Sequence, residues 1–264
     1  MNYQETPPSP RFRSLIKCFW SLEYDGGGEP EPIVPDGCVE IVFNLADRFR
    51  HYHESGEITP QPAALIAGQM RQCIVIGPSG RVRLFGVRFF PTGARPFFGP
   101  NMSELANRIE PLDSMWSGTG EIEDRLATAA DHFARVEIIE QVLTCKVRER
   151  NEHGLLSYAI LTITENKGLL PIRALGQDLS ISERQLERLF AANVGLSPKG
   201  FSRIVRFQSV LRLITPRADL VDLALTHGYY DQSHFISDFR QFAGTTPGAF
   251  LERSSGLTDV FLQE

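Results

Sequence analysis

Side chains able to meet a polyanion gather in one stretch of this chain. Between Arg173 and Arg212 stand seven basic residues (Arg173, Arg184, Arg188, Lys199, Arg203, Arg206 and Arg212) against three acidic ones (Asp178, Glu183 and Glu187). Such a face can bind phosphates, although a solvated helix has the same composition. Other chemistries are less well supplied. His51, His53 and Glu57 follow an H-x-H-x3-E spacing that suits a divalent metal, but Arg48–Pro62 is polar and turn-rich and reads as a solvated loop. The glycines at 26–28 and at 80 have no following Lys-Ser/Thr, so no phosphate loop is implied. No Gly-x-Ser-x-Gly elbow and no triad-like grouping is present. Cys18, Cys38, Cys73 and Cys145 form no CxxC pair, which argues against a zinc ribbon or a disulfide framework and fits a reducing cytosol. Cys38, beside the Pro35-Asp36-Gly37 turn, reads as a small buried hydrophobe rather than a reactive thiol. The expectation is a chain with no cofactor, no metal and no enzymatic activity.

The elements that must carry the basic stretch can be read from pattern. At 264 residues, 42% hydrophobic and 22% charged, the chain suits two globular domains. The net charge of −5 lies entirely in residues 1–154, with 16 basic and 21 acidic residues; residues 155–264 carry 11 of each. The apolar runs Ala63–Ala67 and Cys73–Ile76 are too short to span a bilayer, and Met1–Pro10 has no secretory pattern. Phe12–Tyr24, Val39–Leu45, Ala63–Gly68, Cys73–Gly77 and Val82–Phe90 read as short strands of a small barrel or sandwich. Glu121–His132 and Val136–Val147 then show helical spacing, and the polar run Glu149–Gly154 marks a boundary.

Beyond it the pattern is all helical. Leu155–Thr164 and Ile172–Asp178 come first, the latter after Pro171. Ser182 caps Glu183–Asn193, Ser197-Pro198 starts a helix to about Thr215, Asp219 caps Leu220–Thr226 and Asp231 caps Gln232–Phe242. These helices repeat. Leu175 aligns with Leu223 at an offset of 48, whereas Leu186 and Phe190 align with Phe235 and Phe239 at 49, so the second copy has one extra turn residue. Each copy is a short helix, a tight turn and a longer capped helix, the layout of a DNA-reading helix-turn-helix. The connecting helix, read as Ser197–Thr215, would measure roughly 28 Å, near the 34 Å between successive major-groove faces. A helical bundle without a ligand has the same pattern.

The residues of the repeat resemble the AraC/XylS family of transcriptional regulators. Leu179–Phe190 is similar to the family's first reading helix and Gly195-Leu196-Ser197-Pro198 to its G-x-S-P linker start. Gly228–Phe235 is similar to the G-[FY]-x-[DN]-Q-S-[HY]-F signature, with Phe239–Pro247 following at the expected distance. Val34–Phe43 and Gly86–Ala94 resemble a sensor-type domain often fused to this module. The resemblance implies base-edge contacts from Arg184, Gln185, Glu187 and Arg188 in the first reading helix and from Gln232, Ser233, His234 and Ser237 in the second. Arg suits guanine, Gln adenine, and Glu the amino group of cytosine. Lys199, Arg203, Arg206 and Arg240 are the candidate phosphate contacts, with Arg206 alternatively a buried structural arginine. The family often carries a basic residue near Ser237, and this chain does not.

The expected fold is therefore α+β in two domains. Residues 1–150 form a β-barrel or cupin-like sensor or dimerisation domain with trailing helices. Residues 155–253 form an all-α DNA-binding domain of two helix-turn-helix units on a linker helix, and 254–264 a tail. The expected function is a sequence-specific DNA-binding regulator in the bacterial cytoplasm, modulated by a small-molecule effector on the N-terminal domain. Promoter DNA is the expected partner, with a homodimer and RNA polymerase as further candidates and no membrane. The alternative is a metal-dependent cupin-type enzyme with a helical accessory module.

Overall fold

The computed structural model describes residues 1–99, 101–148, 154–215 and 218–252. The expected tail at 254–264 and most of the boundary run Glu149–Gly154 lie outside the described residues. The N-terminal domain begins with β1 (Asn2–Thr6), β2 (Ile16–Tyr24), β3 (Glu31–Ile33), β4 (Val39–Asn44), β5 (Arg50–Tyr52) and β6 (Ile58–Pro60). It continues with β7 (Ala64–Ala67), β8 (Ile74–Gly77) and β9 (Val82–Phe89). A short helix α1 (Arg95–Phe98), a tight turn at Met102–Glu104, β10 (Ile109–Pro111), α2 (Thr119–Thr128) and α3 (His132–Lys146) complete it.

The strands form two antiparallel sheets, β1-β2-β9-β4-β7-β10 and β3-β8-β5-β6. Among the described residues the two ladders stay separate, so the expected barrel is open. Alternation along the central strands explains the layering. One face of the large sheet presents Phe19, Ile41, Phe43, Phe85, Val87 and Phe89 to Ile122, Leu126, Ile139 and Leu143 of α2 and α3. The opposite face presents Trp20, Leu22, Val42 and Leu84 toward Ile33 and Ile76 of the small sheet. Trp20, Gly86 and Val42 lie side by side across three strands. A Cβ on Gly86 would stand 2.0 Å from the Trp20 indole, so only glycine lets the ring lie across β9.

Five strands were not legible. Asn2–Thr6 lies in a segment read only as polar and Pro-rich; it pairs with β2 at the sheet edge and is mostly exposed, so it needs no hydrophobic alternation. Arg50–Tyr52 and Ile58–Pro60 correct the expected solvated loop: they form a hairpin, paired Arg50 to Pro60 through Tyr52 to Ile58. The other two, Glu31–Ile33 and Ile109–Pro111, are only three residues long and each carries a proline.

In the C-terminal domain, α4 (Gly154–Glu165), α5 (Ile172–Asp178), α6 (Glu183–Asn193), α7 (Pro198–Leu211), α8 (Leu220–Thr226) and α9 (Gln232–Ala243) follow the expected order. A last helix, α10 (Pro247–Glu252), which the sequence reading did not include, starts at Pro247, a residue suited to the first helical position. The linker α7 is shorter than expected, 14 residues and roughly 21 Å. Its chain turns away after Leu211, where Leu213 and Ile214 both donate to the Val210 carbonyl ahead of Pro216, itself outside the described residues. Among the described residues, no helix is long and apolar enough to cross a membrane.

Two outcomes are expected for the N-terminal domain. Gly86→Ala, which overpacks Trp20, lowers stability by about 1–3 kcal/mol, read from the midpoint of urea denaturation. The second concerns His132, whose ring is held by the Ser21 and Thr6 hydroxyls at 2.7 and 2.9 Å. Burial, with the Arg135 guanidinium adding to it, holds its pKa below the ordinary histidine value of 6.5. Below that value the unfolded chain binds a proton that the folded chain refuses. Stability therefore falls as pH drops through 6.5 and stops falling once the folded ring also titrates. His132→Gln should flatten this part of the profile of melting temperature against pH.

Candidate nucleic-acid interface

The first helix-turn-helix is α5, the turn Leu179–Ser182, and α6. Ser180 takes the left-handed conformation (φ 55°) that reverses the chain. Ser182 then caps α6 in a reciprocal box: its Oγ accepts from the Gln185 backbone N–H, and the Gln185 side-chain oxygen accepts from the Ser182 N–H at 2.9 Å. Leu186 and Phe190, four apart, bury one face of α6. The other face exposes Arg184, Gln185, Glu187 and Arg188. Among the described residues, no ion pair ties Glu187 to either arginine.

The cap changes what Gln185 can offer. Its Oε1 already accepts from the Ser182 N–H and hydroxyl, both at 2.9 Å. Bidentate pairing with adenine needs that oxygen as well as the amide NH2. While the cap holds, Gln185 presents a donor only. The S-x-x-Q spacing of Ser182 and Gln185 is the signature that would have revealed this.

The second unit repeats the plan with one more residue in the turn, His227–Asp231. Gly228 supplies the left-handed step (φ 70°). Asp231 caps α9 by accepting from the His234 N–H at 2.7 Å. Phe235 and Phe239 are buried, with the Tyr229 ring edge-on to Phe235 at 5.2 Å. Gln232, Ser233, His234, Ser237 and Arg240 are exposed. His234 is partly engaged locally, its ring 5.4 Å from that of Tyr229 and its Nδ1 accepting from the Tyr230 N–H at 3.4 Å. Arg240, in the last turn, is the basic side chain of this helix.

The basic residues of α7 divide into two kinds. Lys199 is exposed near the helix start. Arg203 donates to Asp238 Oδ1 and to Gln241 Oε1, both at 2.6 Å, and lies over the Phe242 ring. Arg206 donates to the Gly168 carbonyl at 3.0 Å and lies over Tyr229. Both arginines join α7 to the second unit and to the α4–α5 turn. The sequence missed Asp238, a buried carboxylate one residue past Ser237 that receives the Arg203 charge.

The N-terminal domain packs on this module. The Gln208 amide on α7 donates to the Pro35 carbonyl at 2.6 Å. Phe201 lies against Gly37, 3.1 Å from where a Cβ would stand, and Val34 packs against the helical core. At the end of α6, a Cβ on Gly195 would meet the Met102 carbonyl at 2.8 Å; at the end of α9, a Cβ on Gly244 would meet the Cys73 sulfur at 2.7 Å. No sequence signal marks these contacts, because each partner lies in the other domain.

The metal spacing in the first domain comes to less. The His51 and His53 rings lie 4.1 Å apart, tilted at 36°, and His53 Nε2 shares a hydrogen bond with the Thr59 hydroxyl at 2.8 Å. Among the described residues, no group of three or more His, Cys, Asp or Glu could hold a metal.

These features agree with what the chain resembles. A family described as Domain of unknown function (DUF6597) matches residues 4–111, and one described as Helix-turn-helix domain matches residues 175–253. The chain is 28% identical over 102 residues to the invasion protein InvF of Salmonella typhimurium, covering 38% of this chain and 46% of InvF. It is 25% identical over 134 residues to the HTH-type transcriptional regulator ArgR of Pseudomonas aeruginosa, covering 44% of this chain and 41% of ArgR. The matches thus span less than half the length of these curated relatives. Among solved structures, ToxT of Vibrio cholerae aligns over 90% of this chain and 99% of its own with a TM-score of 0.54. At 8% identity that likeness is one of fold.

If Arg203 serves the interior, its removal must cost stability. Arg203→Ala leaves the buried Asp238 charge unpaired, and about 2 kcal/mol should be lost, below the roughly 3–5 of a fully buried pair because Arg203 is part-exposed. The exposed Arg184→Ala should change the urea midpoint by no more than about 0.5 kcal/mol equivalent.

Proposed function

We propose that, through its C-terminal module, the chain is an AraC-type protein and a sequence-specific DNA-binding transcriptional regulator. The observation that carries the reading is the unspent polar face of α6. Arg184, Glu187 and Arg188 project from a helix whose other side is anchored by Leu186 and Phe190, and they have no partner among the described residues. In this reading α6 enters the major groove, with Arg184 and Arg188 on guanine edges and Glu187 on cytosine. Gln185 contributes an amide donor. From α9, Gln232, Ser233, His234 and Ser237 reach the second element, with His234 the most constrained of them. Lys199 and Arg240 meet phosphates, whereas Arg203 and Arg206 hold the module together.

The N-terminal domain is the regulatory part of this reading. Its direct seat on α7, α6 and α9 gives a bound effector a physical route to the DNA-reading helices, by favouring one arrangement of the two domains. The partial relative ArgR is a transcriptional regulator, which accords with this reading. For this chain an effector, a second copy and contact with RNA polymerase are parts of the proposal, as is action in the cytoplasm, where promoter DNA is found.

Selection of the purified chain on a random duplex pool at about 0.15 M salt tests the reading. A two-element site should enrich. Arg184→Ala should then cost about 1–3 kcal/mol and relax one position. Lys199→Ala should weaken all sequences alike and lower the salt slope by about one unit. Failure to enrich any site would overturn the proposal.

A further inference from the structure

Hydrogen bonds locate the extra residue of the second turn. In the first unit Ser180 is left-handed (φ 55°) and the Ile181 N–H donates to the Gly176 carbonyl at 3.0 Å. At an offset of 48, Gly228 is left-handed (φ 70°) and the Tyr229 N–H donates to the Ala224 carbonyl at 3.0 Å. The caps that follow, Ser182 and Asp231, stand at an offset of 49. Tyr230 is therefore the residue with no counterpart in the first unit. It is 87% exposed, more than any other large apolar or aromatic side chain among the described residues, and its hydroxyl has no partner there. The backbone beneath it is fixed. The preceding Tyr229 is buried with its ring edge-on to Phe235, the Tyr230 N–H donates to His234 Nδ1 at 3.4 Å, and the following Asp231 caps α9. The turn thus holds a phenol outward on a short stem, where it adds little burial to the fold.

Resting on the DNA-binding reading above, we propose that the Tyr230 hydroxyl donates a hydrogen bond to a backbone phosphate at the edge of the groove that α9 enters. When the second helix of such a unit lies in the major groove with its N-terminal residues at the bases, the first helix crosses the backbone. The turn between them then passes over the phosphates. Tyrosine is among the side chains that bond phosphate oxygens, and an anionic acceptor makes the bond stronger than a neutral one. The residues that follow leave this contact to Tyr230. Gln232–Ser237 include no Lys or Arg, and Arg240 stands in the last turn of α9. The first unit, with its shorter turn, carries the exposed Arg184 at the corresponding end of α6. A phosphate contact fixes register and strengthens binding without choosing sequence.

Tyr230→Phe in the full chain removes the hydroxyl and keeps the ring. On the duplex selected by the parent chain, its dissociation constant should rise about tenfold with the base preference unchanged. The salt slope should stay the same, unlike that of Lys199→Ala, because tyrosine has no charge with which to displace counterions. The urea midpoint should also stay, since the side chain is exposed. Duplexes in which one phosphate at a time becomes an uncharged methylphosphonate locate the acceptor. At one position the parent should lose affinity and the difference between parent and variant should vanish. A loss confined to particular bases, or a difference that persists at every methylphosphonate position, would overturn the assignment. A parent chain that selects a site which Tyr230→Phe binds equally well refutes only the Tyr230 contact. A parent chain that selects no site removes the regulator reading and the contact with it.

Discussion

The arrangement depends on one constraint: α7 must be packed on several sides at once. Fourteen residues bury Phe201, Ile204, Phe207, Val210 and Leu211. Phe207 packs edge-on and tilted against Phe239 and Phe242 of the second unit, while Phe201 meets Phe190 of the first and the Gly37 turn of the N-terminal domain. Little of this helix is left for solvent. Its two mid-helix arginines are consequently drawn inward, where a cation is tolerated only with a carboxylate, a carbonyl or an aromatic face beside it. Asp238, Gly168 and the rings of Phe242 and Tyr229 meet that demand.

This also explains how the positive charge is distributed. A net charge of −5 is ill suited to a polyanion as a whole, yet the exposed basic groups of the C-terminal domain need only form a local face. Arg184, Arg188, Lys199 and Arg240 remain exposed once Arg203 and Arg206 are committed to the interior. The exposed face of α6 is thus richer in charge than that of α9, which is mostly uncharged.

What could be read in advance followed from local chemistry. The caps Ser182, Ser197, Asp219 and Asp231 all appear as expected, and the offsets of 48 and 49 are those of the helix pairs themselves. The apolar strands Val39–Asn44 and Val82–Phe89 were equally plain, being buried at the centre of the large sheet. Legibility stopped where long-range pairing decides. The edge strand Asn2–Thr6 and the hairpin at Arg50–Pro60 have no apolar alternation and exist because a neighbour offers hydrogen bonds. The fate of Arg203 depended on a carboxylate 35 residues away, and that of Gln208 on the Pro35 carbonyl 173 residues away. Neither separation leaves a periodic trace.

The seats at Gly195 and Gly244 give the two reading helices a mechanical character. Each abuts the first domain just past its C-terminal end, and its N-terminal end, with its exposed polar side chains, is the end remote from that contact. They are cantilevers of about 16–18 Å, set by 11 and 12 residues. A tilt of roughly ten degrees at the root carries the tip about 3 Å, as much as the whole length of a hydrogen bond. A small change of angle at the Met102 or Cys73 contact would thus be enlarged at the far end by the length of the helix.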